Sequence, residues 1–224
     1  MSTLSVSTIN TRDNTTPLYI STGNTAVGMD FYPANGTLRI KATKVYQNSG
    51  ELGSGKQTLW IPAAALIPRL TNGPAAGQVS TTTNSVQVKT FDFDPGTIEA
   101  AQIQIKMPKH WDKGTISFSP VWSQLTTSAG AVSWNVRAVA VSSSESIDAS
   151  FGTPITVTSS GGSANNIYVG SESSAITVAG SPQDNDLVIF EIGRFATGGS
   201  DTLAIDARLH GLNIYYTANT ASDA

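Results

Sequence analysis

The chain of 224 residues contains no cysteine. That excludes a disulfide framework, a thiolate zinc centre and any redox motif, so burial and hydrogen bonding must hold the fold. A chain of this length buries a sufficient core without such staples. Charge is the second scarcity. Asp, Glu, Lys and Arg make up 13% of the residues, about half the usual share of roughly 25%. With a formal net charge of −3 there is no electrostatic footprint for nucleic acid, whose binding rests on clustered Lys and Arg neutralising phosphates.

Long apolar runs are missing too. No stretch approaches the ~20 residues a membrane-spanning helix requires. Met1-Ser2-Thr3-Leu4-Ser5 lacks the basic start and apolar run of a secretory leader. Neither membrane insertion nor export by the secretory route is expected. Amphipathic helical runs are likewise absent. One helical turn fits at Ala63–Ile67 between Pro62 and Pro68, and Ser143–Ala149 is the other helix-like stretch, with Ser144 or Ser146 as possible caps.

What the chain does have is alternation of period two, punctuated by Gly, Asn, Asp, Pro and Ser. The pattern predicts strands at Ser85–Phe93, Ala100–Met107, Gly114–Trp122, Val132–Val141, Pro154–Thr158, Ala175–Val178, Leu187–Ala196 and Leu203–Tyr216, the last bending at Gly211. That is the strand count of a jelly-roll or related antiparallel sandwich. The fold class expected is all-β, a jelly-roll-like β-sandwich preceded by a small β-rich segment. Alternation assigns Ile103, Ile105, Met107, Phe118, Val132, Trp134, Val136, Ala138, Val188, Phe190, Ile192, Leu212 and Ile214 to the core.

Residues 1–46 contain short extended pieces and an Asn35-Gly36 turn signal. Each piece has too little apolar mass for a core of its own. Such strands gain stability by packing on a neighbour or on copies of the same chain. This segment is therefore read as an attachment and oligomerisation unit, with Leu4, Val6, Ile9, Leu18 and Ile20 as its anchor; the alternative reading is a fraying, disordered arm. Residues 47–58 are rich in Gly and Ser without hydrophobic period and read as a linker. The sandwich domain then occupies residues 59–224, opening on Leu59-Trp60-Ile61-Pro62.

Motifs for chemistry are weak. Gly50-Glu51-Leu52-Gly53-Ser54-Gly55-Lys56-Gln57 nearly spells a phosphate-binding loop, but Gln57 stands where a magnesium-holding hydroxyl is needed, and no helix can run far before Pro62. The two histidines, His110 and His210, lack zinc-site spacing and read as surface or semi-buried side chains. No Gly-x-Ser-x-Gly elbow accompanies the many serines. No two of Glu99, Glu145, Glu172 and Glu191 stand out as a glycosidase pair. Asp92-Phe93-Asp94 and Asp184-Asn185-Asp186 offer clustered oxygens for calcium, but both adjoin Pro or Gly, and structural turns are the favoured reading. No catalytic residue, cofactor or metal is therefore assigned. Trp111, Trp122, Trp134, Tyr168, Tyr215 and Tyr216 are candidates for stacking on sugars. Trp134 reads as core, whereas Trp122 at a strand end and Trp111 in a turn read as accessible.

Several stretches carry a resemblance. Trp60-Ile61-Pro62-Ala63-Ala64-Ala65 through Pro68-Arg69, Met107-Pro108-Lys109 with Trp111-Asp112 and Gly114, Phe118-Ser119-Pro120-Val121-Trp122, and Asp206-Ala207-Arg208-Leu209-His210-Gly211 together resemble virion surface proteins of tailed bacteriophages. The resemblance spans roughly residues 59–224. Thr8-Ile9-Asn10-Thr11 and Pro17-Leu18-Tyr19-Ile20 also resemble the shaft-side start of phage fibre proteins. The resemblance implies a non-enzymatic capsid decoration (cement) protein or a short head or tail fibre. It implies a homotrimer made in the host cytoplasm that docks on the major capsid protein or another virion protein. The alternative expectation is a tail-fibre module that binds a host surface glycan through Trp111 and Trp122.

Overall fold

The computed structural model describes residues 46–47, 50–51 and 55–219. The anchor residues Leu4, Val6, Ile9, Leu18 and Ile20 lie outside them. The strands are β1 (Tyr46–Gln47), β2 (Gly50–Glu51), β3 (Gly55–Pro62), β4 (Ile67–Pro68), β5 (Ala75–Ser80), β6 (Gln87–Phe93), β7 (Glu99–Lys106), β8 (Ser117–Gln124), β9 (Ala131–Val141), β10 (Ile155–Ser160), β11 (Tyr168–Val169), β12 (Leu187–Arg194) and β13 (Ala207–Ala218). The single helical turn expected after Pro62 is a 3-10 turn at Ala63–Ala65.

One sheet has the order β10-β9-β12-β7-β4, and the other β11-β8-β13-β6-β5 with β3 also paired to β13. From β6 to β13 the chain visits the sheets in the sequence second, first, second, first, first, second, first, second. That path is the eight-stranded jelly roll, with every pairing antiparallel. Of the remaining strands, β4 extends the first sheet beside β7 and β5 the second beside β6, while β1 and β2 pair with each other in a separate two-stranded sheet. On the first side of β13, β6 pairs with Ala207–Leu209 and β3 pairs with Gly211–Ala218. Against β8 the register slips between Leu209 and Gly211, so His210 is the extra residue of a bulge. The bend expected at Gly211 is this bulge.

Alternation fills the space between the sheets. Val188, Phe190 and Ile192 of β12 face inward against Val136 and Ala138 of β9 and Leu212 and Ile214 of β13. Trp134 sits at the centre, edge-on to Phe93 at 5.1 Å and tilted against Trp122 at 6.4 Å. The outer face of the first sheet is also partly covered. Val139, Val141 and Ile189 form a second cluster beneath Ala149, Phe151 and Ala179. In the same row Glu191 accepts hydrogen bonds from Gln102 (2.7 Å) and Arg137 (2.9 Å), and Arg137 lies over the Phe151 ring.

A buried arginine braces the loop between β12 and β13. Arg194 is fully buried, and all five of its N–H groups are used. Two meet Asp201 (3.0 and 2.8 Å), and the others reach the carbonyls of Phe93, Ile205 and Leu203. Asp201 also accepts the backbone N–H of Ser133. The loop between β12 and β13 is thus clamped to β6 and β9.

Three expectations differ. Ser143–Ala149 is a turn, not a helix: Ser144 has φ +72°, and the Glu145 carboxylate bonds the Ser142 N–H, a local alternative to helical bonding. Ala175–Val178 is not a strand. Ile176 bridges Ile116 beside the second sheet while Ala179 bonds to Ala138 and Ala140 of the first, so the segment crosses between sheets. Residues 55–58, assigned to the linker by composition, are the first half of β3, because β13 supplies their backbone partners. Strands β4, β5 and β11 are too short or too poor in apolar residues to have announced themselves.

Candidate functional site

The tryptophans expected to be accessible are not. Trp122 is 0% exposed and Trp111 3%. Trp122 lies on the inward face of β8, donates its indole N–H to Ser159 Oγ (2.9 Å), and packs on Tyr168 at 5.1 Å. Trp111 bridges Ala218 at the end of β13. Both indoles are part of the main hydrophobic core, so neither offers a ring face to a sugar.

The histidines serve the fold. His110 is half-buried, with Nε2 3.0 Å from Tyr216 Oη. His210 Nε2 lies 2.8 Å from Ser123 Oγ, which makes a Ser–His pair. Yet His210 is 8% and Ser123 1% exposed, which leaves no route for a substrate to the hydroxyl. Desolvation, with Arg208 as a second cause, lowers the His210 pKa below 6.5. The unfolded chain therefore takes up a proton at this site before the folded one does. The contribution of His210 to stability is present above its unfolded value of 6.5 and is lost as pH falls from there through the lower folded value. Urea titrations at pH 7.5 and 5.5 are expected to show this decline in the parent protein and a smaller one in His210→Asn.

The carboxylates make turns. Asp94 accepts the Gly96 N–H (2.6 Å), Asp186 that of Gln183 (2.8 Å), and Asp184 pairs with Lys113 (2.9 Å). Asp92 accepts from Thr90 and pairs with Arg208. Desolvation, then mutual repulsion with Asp94, raises the pKa of Asp206; desolvation raises that of Glu99. Among the described residues no group of three or more His, Cys, Asp or Glu is arranged to hold a metal ion.

The functional-looking surface is elsewhere, on the outer face of β3, β13 and β8. Alternation turns Leu59 and Ile61 inward and Lys56, Thr58 and Trp60 outward. Trp60 is 47% exposed and lies directly opposite Asn213. Tyr215, the next outward residue of β13, is flanked by Thr58 on β3 and Ser117 on β8. Lys56 Nζ stands 4.9 Å from the Tyr215 ring centroid and pairs with Glu172, which also accepts from Ser117 Oγ. The hydrogen bonds from Lys56, and then from Ser117, hold the Glu172 pKa below its ordinary value. These side chains line a cleft of about 250 Å³ with Thr115, Ser173 and Thr217. Tyr215 is among the residues expected to stack on sugars, and Trp60 is not. The signal was present: inward Leu59 and Ile61 leave the residue between them facing out.

Fold and surface together define a jelly-roll β-sandwich with one aromatic and polar outer face. No family model and no curated protein matches the chain. Among solved structures, it is similar to the CBM36-1 domain of a multidomain xylanase from the hindgut metagenome of Trinervitermes trinervoides. The TM-score is 0.37 at 11% identity, over 70% of this chain and 96% of that one.

Proposed function

We propose that the chain is a non-enzymatic structural protein of a bacteriophage particle surface, a capsid decoration protein or short fibre that acts by self-assembly and docking. One observation carries this reading. The groups an enzyme would activate are engaged in holding the jelly roll: His210 on Ser123, Arg194 on Asp201, and Glu191 on Arg137 and Gln102. The sequence resemblance over residues 59–224 supports the virion assignment, and the homotrimer comes from that resemblance. Apolar side chains exposed beside Gln102 and Gln104, namely Ile67 and Leu70, suit docking on another polypeptide. The anchor itself is assigned to Leu4, Val6, Ile9, Leu18 and Ile20.

Removing residues 1–46 tests the assignment. The shortened protein is expected to keep a cooperative thermal transition, because the jelly roll lies wholly within residues 55–219. It is expected to be lost from purified particles, as measured by mass spectrometry. Incorporation equal to that of the full chain would refute the anchor.

A second reading, recognition of a host surface glycan, is favoured by the outward Trp60 and Tyr215. Trp111 and Trp122, both buried, take no part in it.

A further inference from the structure

We propose that the outer face of β3 and β13 binds an uncharged saccharide of at least two rings, with Trp60 as the stacking platform and the Lys56–Glu172–Ser117 cleft as the polar subsite. This rests on the glycan-recognition reading and gives it a location and a ligand class.

Trp60 is held, not merely exposed. A Cβ at position 211 would fall 2.6 Å from the Cζ2 and Cη2 atoms of the Trp60 indole and 2.3 Å from the Ile61 carbonyl oxygen. Only glycine fits there, so the indole rests over bare backbone while nearly half of the residue stays open. A single exposed apolar side chain is ordinary on a protein surface. A ring braced from below beside groups that bond hydroxyls is not. The apolar face of a sugar stacks on an aromatic face, and its hydroxyls need donors and acceptors at the rim. Asn213 stands directly across from Trp60, and Thr58 lies between Trp60 and Lys56 on the same face.

Length follows from strand geometry. Outward residues two apart are separated by roughly 7 Å. Lys56 is two such steps from Trp60, so a ligand touching both the indole and the cleft is longer than one sugar ring.

Charge selects the class. Lys56 and Glu172 are joined as an ion pair in the cleft and cancel each other, with hydroxyls of Thr115, Ser117, Ser173 and Thr217 around them. A sugar hydroxyl both donates and accepts, so it can use either partner. A carboxylate-bearing sugar would meet Glu172 without an unopposed cation, because Lys56 is already neutralised. Binding without net charge transfer is also weakly dependent on salt.

The test titrates the full-length protein with neutral oligosaccharides of three to six units in gluco, galacto, manno and xylo series. Uronate- and sialate-containing oligomers of similar length run alongside. Calorimetry and indole fluorescence are the readouts. Saturable binding to a neutral oligomer, retained in 0.5 M NaCl, is expected. Trp60→Ala should weaken it at least about tenfold with an unchanged thermal midpoint, Trp60→Phe should restore part of it, and Tyr215→Ala and Glu172→Gln should each weaken it several-fold. Tighter binding of the acidic oligomers would overturn the ligand class. Neutral binding indifferent to both Trp60→Ala and Tyr215→Ala would overturn the site while leaving glycan recognition standing. No binding to any oligomer would overturn both.

Discussion

Replacing Arg194 with methionine is expected to lower the unfolding free energy by about 3–5 kcal/mol, the cost of breaking a buried, hydrogen-bonded ion pair from one side. The methionine fills much of the arginine's volume but donates nothing. Asp201 would keep the Ser133 N–H but lose its cation, and the Phe93, Ile205 and Leu203 carbonyls would each lose a donor. Small domains have total stabilities of roughly 5–15 kcal/mol, so the loss is a large fraction of the whole. Urea denaturation at pH 7 measures it. A double variant, Arg194→Met with Asp201→Leu, should be more stable than Arg194→Met alone, because it removes the stranded carboxylate. A midpoint unchanged by Arg194→Met would mean that the clamp contributes nothing net.

Trp122→Ala is expected to cost a comparable amount, about 3–5 kcal/mol, from lost burial and the cavity left behind. The indole is enclosed by Trp134 and Tyr168, and its departure also leaves Ser159 without its donor. Any binding activity would then fall together with the thermal midpoint. Trp60→Ala provides the contrast. An exposed side chain away from caps and core contacts typically shifts stability by no more than about 0.5 kcal/mol. Parallel melts of the two variants separate a structural tryptophan from a surface one. Equal melting temperatures for Trp122→Ala and the parent would contradict the packing described.

The split between these two tryptophans illustrates what the chain discloses and what it withholds. Seven of the eight expected strands exist, shifted by a few residues at their ends. They were legible because burial between two sheets imposes a period of two that few other structures impose. The eighth, Ala175–Val178, has the same composition but serves both sheets in turn, and no local pattern encodes which neighbour a residue meets. Residues 55–58 read as linker because Gly, Lys, Gln and Thr show no apolar period. Their strand exists only because the outer half of β13 lacks another partner on that side.

The candidate site was half legible. Tyr215 alternates with buried Ile214 and Tyr216, so its outward direction follows from local order. Its meeting with Lys56 and Glu172 joins residues 116 positions apart and follows only from the closing of the sheets. Trp122 and Trp111 were misjudged because a place near a strand end or in a turn says nothing of what packs on top.

Composition and alternation alone determined that this protein is an all-β sandwich without thiol chemistry. Those properties are sums over residues or repeats along a single strand. Tertiary structure decided the jelly-roll path, the arginine clamp at Asp201 and the burial of Trp111 and Trp122. Each of these depends on residues far apart in the chain being brought together, and hydrophobic burial, being non-directional, specifies that they meet without specifying where.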